Sequence, residues 1–539
     1  MLDLSRIPEA VRSEGGLTRR LFLAYSSALA ALPTLARRCE SVEKNVTFPA
    51  NPFSLGVASG DPDATSVVIW TKLAPRPLDP DGGMKPEAVS VSWEVAEDEG
   101  LKKVVARGTA VATPQLGHAV HVEVPNLRPD RWYWYRFMAG DAVSPVGRTR
   151  TLPSAETCPE KLRFAFASCQ NYEQGLYTAY EQMAKDDLDL VFHLGDYIYE
   201  NPDRNSPKAV RRLTGPKDRK IQTLAEYRER YALYRSDPLL HGMHARCPWF
   251  VTWDDHEVEN NYAGESREFQ PPGKAKADPV EFLVQRANAY QVYYEMMPLR
   301  RRSLPQGPDM RLYRKASFGN LAEFFVLDTR QYRTPQPNED GLKPLNDAAL
   351  DPRNTILGRK QRGWLQASLI SSQATWNVLA QQVMMAMVGF PMGEEPKYVM
   401  DQWPGYAHER MALMRFIADR KVPNPVVLTG DIHTNWVNDL RVDDRKPDTP
   451  VVATEFVGTS ISSGGNSTTT LAMFQKLVLD RNPGVKFFNG ERGYVRCTVT
   501  PRNWTSDYVV CEDVTKPGGR VLTRASFVVE AGQPGAKKL

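Results

Sequence analysis

The stretch Leu188-Asp189-Leu190-Val191-Phe192-His193-Leu194-Gly195-Asp196 runs from an apolar strand pattern directly into a Gly-Asp pair. Upstream, Leu162-Arg163-Phe164-Ala165-Phe166-Ala167 has the same apolar character, and residues 172–186 between the two segments have a helical pattern. A strand, a helix and a second strand in this order predict a βαβ unit with parallel strands. In such sheets, ligands bind just beyond the carboxyl ends of the strands. We therefore expect functional residues immediately after Ala167 and Leu194.

The alternation of strand and helix patterns continues along the chain. It predicts a large α/β catalytic domain over residues 160–515, followed by a C-terminal strand and tail at 516–539. A helix is expected over Met411 to Asp419, and an antiparallel hairpin over Gly493 to Asp513. Further strands are predicted at Trp249 to Trp253, Ala322 to Leu327, Asn377 to Leu379, Val426 to Leu428 and Val452 to Phe456.

Residues 45–155 have a different pattern, with apolar and polar residues alternating between turn signals. Short alternating strands separated by Asp-Pro, Asp-Gly and Pro-Asp pairs are typical of a small all-β sandwich of the immunoglobulin or fibronectin type III kind. His118 and His121 fall in this region, and we interpret them as surface or packing residues. The predicted strands are Ser66 to Trp70, Val89 to Val95, His118 to Val124 and Trp132 to Phe137.

Residues 1–40 are predicted to be a cleaved export signal and not part of the fold. The pair Arg19-Arg20 precedes an uncharged run, Leu21 to Ala36, which is shorter than the ~20 apolar residues that a membrane span needs. Adjacent arginines with Phe22 close behind are typical of a twin-arginine signal, which the twin-arginine export machinery reads. The sequence therefore predicts a secreted or periplasmic protein with no stable membrane anchor.

Composition excludes several classes of protein. The chain has 539 residues, of which 42% are hydrophobic and 24% charged, so it is neither disordered nor a coiled coil. A net charge of +4 gives no reason to expect nucleic-acid binding. Six cysteines are too few for a disulfide scaffold. Cys497 and Cys511 flank the predicted final hairpin, where either a cross-strand disulfide or two buried thiols would fit.

Polar residues suited to metal binding follow four of the predicted strands. Carboxylates this numerous would repel one another at a shared sheet edge unless cations neutralised them. Their convergence predicts a dinuclear metal site. The segments are Ser168-Cys169-Gln170, Gly195-Asp196, Asp254-Asp255-His256-Glu257 and Gly430-Asp431-Ile432-His433.

Longer motifs around these residues resemble those of the alkaline phosphatase D (PhoD) family, within the calcineurin-like and purple acid metallophosphoesterases. The motifs that carry the resemblance are Ala167-Ser168-Cys169-Gln170, His193-Leu194-Gly195-Asp196-Tyr197-Ile198-Tyr199-Glu200, Trp253-Asp254-Asp255-His256-Glu257, Leu327-Asp328-Thr329-Arg330-Gln331-Tyr332 and Glu455-Phe456-Val457-Gly458-Thr459-Ser460-Ile461-Ser462-Ser463-Gly464-Gly465. The resemblance covers residues 52–513 and implies an α/β fold in which a metallophosphoesterase β-sandwich core is flanked by helices and preceded by the small sandwich.

The resemblance also implies a ligand set for a first metal. Cys169 would bind it as a thiolate and Tyr199 as a phenolate, while Asp196 would bridge it to a second metal and His433 would complete the set. Anionic, strongly donating ligands of this kind favour Fe³⁺.

At the second metal, the resemblance implies Asp255 and Asp431 as ligands, with an amide oxygen from Gln381 or its neighbour Gln382. Oxygen ligands select hard cations, so we expect Ca²⁺, with Mg²⁺ or Mn²⁺ as the next candidates.

Two further side chains are assigned to catalysis. His256 is expected to hydrogen-bond the phosphate or to protonate the leaving oxygen; the alternative is a histidine that only pairs with a neighbouring carboxylate. Arg330 has the planar fork that bidentate phosphate binding requires, or it forms an ion pair with Asp328 or a glutamate. His193 lies inside its strand and is interpreted as a packed core residue.

Together these features predict a secreted metal-dependent phosphoesterase. Its substrates would be phosphomonoesters, phosphodiesters or both, cleaved by attack of a metal-activated hydroxide on phosphorus. Two alternatives remain at this point: a phospholipase D-like phosphodiesterase, and a surface-binding protein with a vestigial metal site.

Overall fold

The computed structural model describes residues 46–203, 209–214, 217–267, 278–390, 393–464 and 469–539, so the expected export signal lies outside the described residues. No helix in these ranges has the length and apolarity needed to cross a bilayer. The helices are α1 (Thr178–Met183), α2 (Leu224–Arg235), α3 (Pro238–His244), α4 (Pro279–Met296), α5 (Gly358–Ser371), α6 (Ala407–Asp419) and α7 (Thr469–Arg481).

The strands fall into an N-terminal set and a catalytic set. The N-terminal set is β1 (Val57–Gly60), β2 (Val67–Lys72), β3 (Val89–Ala96), β4 (Val104–Ala112), β5 (Ala119–Val124), β6 (Trp132–Ala139), β7 (Ala142–Val143) and β8 (Gly147–Arg150). The catalytic set is β9 (Leu162–Ala167), β10 (Leu190–Leu194), β11 (Trp249–Thr252), β12 (Arg314–Phe318), β13 (Ala322–Val326), β14 (Leu342–Lys343), β15 (Trp376–Ala380), β16 (Tyr398–Val399), β17 (Pro425–Thr429), β18 (Asn435–Leu440), β19 (Ala453–Val457), β20 (Val485–Asn489), β21 (Gly493–Val499), β22 (Asn503–Cys511), β23 (Val521–Glu530) and β24 (Gln533–Lys538).

Two large sheets pack face to face. A ten-stranded sheet has the order β24-β23-β22-β21-β9-β10-β11-β1-β2-β5, and a seven-stranded sheet has the order β12-β13-β15-β17-β19-β18-β20. The ring of Phe324 in the second sheet meets Phe164 and Phe192 of the first at centroid distances of 5.5 and 4.8 Å. Burying side chains of this size contributes about 1.5–3 kcal/mol each.

Helices cover the outer faces of both sheets. Tyr231 of α2 and Tyr293 of α4 pack on the ten-stranded sheet, and Leu365 of α5 and Leu413 of α6 pack on the seven-stranded sheet. The β-sandwich core flanked by helices is therefore confirmed.

The parallel strands direct their carboxyl ends to one edge of the sandwich. β9, β10 and β11 are parallel in the first sheet, as are β13, β15, β17 and β19 in the second. Ser168, after β9, forms a parallel bridge with Ser460, after β19. Gln382, after β15, donates a hydrogen bond to Thr252 at the end of β11. The loops that carry the predicted ligands therefore meet across the two sheets.

The N-terminal sandwich shares a sheet with the catalytic region. Its strands β1, β2 and β5 extend the ten-stranded sheet beyond β11, while β3, β4, β6, β7 and β8 form a separate sheet. Val57, Ile69, Val91 and Phe137 lie in the core between them. At the other end, β23 and β24 continue the ten-stranded sheet. The sheet thus crosses both expected boundaries, near residues 155 and 515.

Several local expectations can be compared with the structure. The predicted hairpin is confirmed, since β21 pairs antiparallel with β22. Cys497 lies opposite Ser506 in that pair, and both Cys497 and Cys511 are free and buried, so the disulfide alternative is wrong. The helix expected over residues 172–186 is limited to α1.

Three histidines outside the predicted ligand set, two in the N-terminal sandwich and one in β10, are packing residues. His118 is buried, and its Nε2 lies 3.0 Å from the Glu87 carbonyl oxygen. His121 stacks on Tyr294. His193 is buried against the ring of Trp249. The interpretation as packing residues is confirmed for all three.

Candidate metal centre

Four predicted ligands have an uncommon backbone conformation. Cys169, Asp196, Asp431 and His433 have φ values of 59°, 56°, 64° and 55°. The left-handed region is sparsely populated by residues other than glycine, and such residues cluster at functional sites. In the first loop, the Cys169 N–H donates to the Gly195 carbonyl at 3.0 Å, which ties the end of β9 to the end of β10.

Two glycines allow the loops to approach closely. A Cβ on Gly195 would lie 2.4 Å from the Cβ of Asp254, and the φ of Gly195 is +109°. A Cβ on Gly430 would lie 2.5 Å from the hydroxyl oxygen of Ser168. Glycine at both positions is therefore what lets four strand ends, those of β9, β10, β11 and β17, share one site.

In the part of the chain that the structure describes, the potential ligand atoms of His, Cys, Asp and Glu form three overlapping groups, in each of which the atoms lie within 4.8 Å of one another. Asp196 belongs to the first two groups, and Asp255 belongs to the last two. The groups are Cys169 with Asp196 and His433, Asp196 with Asp255 and His256, and Asp254 with Asp255 and Asp431. This chain of shared carboxylates is suited to holding neighbouring cations.

Tyr199 joins the first group through its phenol. Its Oη donates to Asp196 Oδ2 at 2.8 Å and lies 3.1 Å from His433 Nε2. The hydroxyl of Ser463 donates to the same phenol oxygen at 2.8 Å. The structure thus brings Cys169, Asp196, Tyr199 and His433 together at one point, as the motifs had led us to expect.

The thiol and phenol of this group are difficult to ionise without a cation. Burial and the nearby Asp196 and Asp431 carboxylates raise the pKa of Cys169 well above its ordinary value. Burial and the carboxylate of Asp196 do the same to the pKa of Tyr199. Burial lowers the pKa of His433 to about 4, so its imidazole is neutral and able to bind a metal. A cation would favour the anionic forms of the other two.

We refer to Asp254, Asp255 and Asp431 as the acidic group. Burial and the other two carboxylates raise the pKa of Asp254 well above its ordinary value. Burial and the Asp255 charge raise the pKa of Asp431 to about 6. Burial alone would raise the pKa of Asp255, but Arg330 and His256 hold it below its ordinary value. Three carboxylates this close repel one another unless positive charge lies among them.

Unpartnered oxygens support the fit of this site to cations. Asp196 Oδ1 and Asp254 Oδ2 are buried and have no hydrogen-bond partner among the described residues. A buried carboxylate oxygen without a donor is costly unless a metal ion neutralises it. The donor set of thiol, phenol, imidazole and carboxylates therefore fits metal ions.

His256 is held by a buried carboxylate. Its Nδ1 lies 2.7 Å from Glu200 Oε2, and its ring packs on Tyr199 at a centroid distance of 4.2 Å. Burial alone would lower the pKa of His256, but Asp255, Glu200 and Asp196 raise it well above its ordinary value. The protonated imidazole can therefore act as a proton donor at this site.

Glu257 organises the backbone beneath the ligands. Its carboxylate accepts the N–H groups of Asp196, Tyr197 and Asp254 at 3.1, 2.6 and 2.9 Å. Burial raises the pKa of Glu257 to about 8, although these hydrogen bonds oppose the rise. The side chain fixes the end of β10 against the end of β11.

The contacts of Arg330 differ from those that the sequence led us to expect. Its guanidinium is fully buried; Nε donates to Asp254 and Nη1 donates to Asp401 at 2.9 Å. Nη2 lies 3.7 Å from Asp255 Oδ2. Arg330 bonds to Asp328 only through its backbone N–H, which donates to Asp328 Oδ1 at 3.0 Å. Two of the three guanidinium nitrogens are therefore committed to carboxylates of the protein.

Gln381 also has protein partners. Its amide oxygen accepts from Trp403 Nε1 at 3.0 Å, and its amide nitrogen donates to the Val383 carbonyl and the Thr429 hydroxyl. The amide oxygen of Gln382 accepts from Thr329. The amide oxygens of both glutamines are thus engaged by protein donors, and the Gln382 amide nitrogen joins the two sheets through its bond to Thr252.

Four residues of the site stand within the sequence motifs without a predicted role: Asp254, Glu200, Glu257 and Ser463. Gln402, whose amide nitrogen donates to Asp431 Oδ2 at 2.8 Å, lies outside the motifs. For the first three, the available signal was a carboxylate directly beside a predicted ligand or catalytic residue. Gln402 carries no such signal.

Comparisons with known proteins match nearly the whole chain. A family model described as PhoD-like phosphatase matches residues 164–508, and one for the PhoD-like phosphatase N-terminal domain matches residues 39–153. Alkaline phosphatase D of Bacillus subtilis (strain 168) is 50% identical over 527 residues, covering 97% of this chain and 89% of its own. A solved structure described as PhoD is 51% identical, with a TM-score of 0.87 and coverage of 92% of this chain and 93% of that one.

Proposed function

The chain belongs to the PhoD-like phosphatase family, and we propose that it hydrolyses phosphate esters at the strand-end centre described above. Its class as a phosphoric ester hydrolase follows from the family. The observation that carries the site assignment is the convergence of Cys169, Asp196, Tyr199 and His433 beside the acidic group.

The donor atoms support two different cations. Thiolate, phenolate, imidazole and carboxylate ligands at Cys169, Tyr199, His433 and Asp196 favour Fe³⁺, because strongly donating anions stabilise the higher charge. The acidic group offers only carboxylate oxygens, which favour Ca²⁺ over Zn²⁺, with Mg²⁺ or Mn²⁺ as alternatives. Asp196 would bridge the two.

When bound, such cations acidify water and neutralise the phosphate oxygens. The protein's own residues then have separate tasks. Asp196 would set the distance between the two cations, because its carboxylate belongs both to the group with Cys169 and to the group with Asp255. Glu257 keeps that carboxylate in place through the backbone N–H of Asp196.

His256 would supply a proton to the leaving oxygen. Glu200 accepts from Nδ1 and so leaves Nε2 as the ring nitrogen that can face a substrate. The surrounding carboxylates keep the imidazole protonated, and cations bound among them would bring its pKa back down toward the working range. General acid catalysis of this kind contributes roughly 10²–10⁴-fold in rate.

Both phosphomonoesters and phosphodiesters fit this chemistry. Each has at least two nonbridging oxygens that cations can neutralise and one ester oxygen that leaves. Turnover of p-nitrophenyl phosphate, bis-p-nitrophenyl phosphate and phosphatidylcholine, measured on protein whose metals have been quantified, tests the assignment. Hydrolysis of the nitrophenyl esters with retained iron and calcium is expected. Preferential release of choline would instead identify a phospholipase D-like enzyme.

We also propose export through the twin-arginine machinery on the basis of Arg19 and Arg20. Because that route transports folded proteins, iron could be loaded before export. Replacing both arginines with lysine in the expressing bacterium should retain the uncleaved protein in the cytoplasm.

A further inference from the structure

Arg330 lies at the centre of a buried network of charges. Asp401, which is 4% exposed, accepts Arg330 Nη1 at 2.9 Å and Arg333 Nη1 at 2.8 Å. Gln336 donates to the same carboxylate oxygen at 2.7 Å. Since guanidinium groups remain protonated in proteins, Arg330 is a permanent positive charge at this position.

The same guanidinium faces every member of the acidic group. Nε bonds Asp254, and Nη2 lies 3.7 Å from Asp255 Oδ2 and 3.9 Å from Asp431 Oδ1. Nη2 is buried and has no hydrogen-bond partner in the described part of the chain. A guanidinium binds phosphate in bidentate fashion through two adjacent nitrogens, and here each such pair includes a nitrogen already bonded to Asp254 or Asp401.

We propose that Arg330 is a positioning residue which, held in place by Asp401, acts as an internal counter-ion of the acidic group and weakens its affinity for a divalent cation. Asp401 keeps the guanidinium from moving further toward Asp255 and Asp431. The neighbouring Gln402 donates a hydrogen bond to Asp431 Oδ2, whereas Arg330 lies nearest its Oδ1. The loop at residues 401–402 therefore sets both the charge and the shape of the acidic group.

A weakened cation site has a consequence for the enzyme. The carboxylates still outnumber the guanidiniums when Asp401 and Arg333 are included, so the acidic group continues to attract a divalent cation. Within the described residues, the Arg330 side chain forms no hydrogen bond or ion pair with the thiol, phenol or imidazole of the first ligand group. The divalent cation would thus exchange readily while the first metal stays bound. This inference rests on the proposed second cation site.

Calcium binding separates the counter-ion role from phosphate binding. Protein that retains its iron is treated with a calcium chelator, and Ca²⁺ is then titrated by calorimetry. Asp401→Asn should lower the affinity about 10- to 100-fold, because the released guanidinium competes with the cation and outer ligands typically have effects of this size. Arg330→Gln should raise the affinity about tenfold.

Controls keep the outcomes distinct. Asp443→Asn removes a buried carboxylate that pairs with Arg445 at the other end of β18 from His433, and should leave Ca²⁺ affinity unchanged. Gln402→Leu changes no charge and serves as a second test in case Arg330→Gln fails to fold. It should weaken Ca²⁺ binding, because it removes the hydrogen bond to Asp431. Unchanged affinity in Asp401→Asn and Gln402→Leu would overturn the inference.

Inorganic phosphate provides the last distinction. At saturating Ca²⁺, the inhibition constant for phosphate should be the same in the parent protein and Arg330→Gln. A large increase in that constant, with Ca²⁺ affinity unmoved, would show that Arg330 binds phosphate. If the parent protein binds no Ca²⁺, the proposed second cation site itself is wrong.

Discussion

Glu200 Oε2 lies 2.7 Å from His256 Nδ1, and His256 itself belongs to the ligand group that contains Asp196 and Asp255. Glu200 is fully buried and also accepts the backbone N–H of Asn260 at 3.0 Å. This second hydrogen bond holds the carboxylate in place beside the imidazole. It fixes which nitrogen of His256 faces the protein, and it contributes to the raised pKa of the ring.

Replacing Glu200 with glutamine tests this relationship. The variant keeps a hydrogen-bond acceptor but removes the negative charge, so the pKa of His256 should fall. A general acid is active while protonated, so the basic limb of the kcat profile should move to lower pH. Metal content should not change. A basic limb in its original position would contradict the assignment of His256 as the acid.

His256→Ala should lower kcat by about 10²–10⁴-fold while iron and calcium remain bound. The expected result depends on His256 acting on the substrate rather than on a metal. Because His256 also lies within one of the ligand groups, elemental analysis of the variant is decisive. Loss of one metal equivalent would identify His256 as a ligand.

Asp196→Asn should abolish activity and reduce the content of both metals. The amide keeps the size of the side chain but loses the charge that two ligand groups share. Asp187→Asn, in a pair with Arg163 at the surface, is a suitable control and should retain full activity. Normal turnover in Asp196→Asn would refute the bridging role.

Cys169→Ser should remove the thiolate contribution to any ligand-to-metal charge-transfer absorption. The hydroxyl is a weaker and harder donor than the thiolate, so the iron content should fall as well. Visible absorption spectra and iron analysis of the two proteins provide the measurement. Unchanged colour at full iron content would argue against thiolate ligation.

The sequence predicted the convergence of Cys169 and Asp196 because each follows a strand pattern directly. Cys169 comes two residues after β9, and Asp196 two residues after β10, so the rule about carboxyl ends of parallel strands was enough to place them together. The family motifs then supplied their roles. The alternation of strands and helices predicted an α/β domain, and the family resemblance implied the β-sandwich core flanked by helices.

The partners of Arg330 could not be predicted in this way. Asp254 and Asp401 lie far from Arg330 along the chain, and Asp401 follows only the two-residue strand β16, which the sequence pattern did not predict. Which carboxylate a buried arginine meets depends on how the loops pack. For the same reason, the alternating pattern of the N-terminal strands predicted a sandwich but did not show that β1 pairs with β11.

A buried ion pair lies at the contact between the N-terminal sandwich and the catalytic region. Arg314 Nε lies 2.7 Å from Asp61 Oδ1, with the two side chains 4% and 1% exposed. Arg314 extends from β12 of the seven-stranded sheet, whereas Asp61 directly follows β1. The pair therefore connects the sandwich to the second sheet of the catalytic core.

Asp61→Asn should destabilise the protein by about 3 kcal/mol, because it leaves the Arg314 charge buried without its counter-ion. Asparagine tolerates the φ of 43° at this position, so backbone strain should add little. Urea unfolding followed by fluorescence measures the change, and Asp187→Asn, whose side chain is 75% exposed in its pair, should lose less than about 1 kcal/mol. Equal stability of the two variants would show that Asp61 does not anchor the sandwich. If the sandwich and core unfold together in the parent, separation into two transitions in Asp61→Asn would show that this pair couples them.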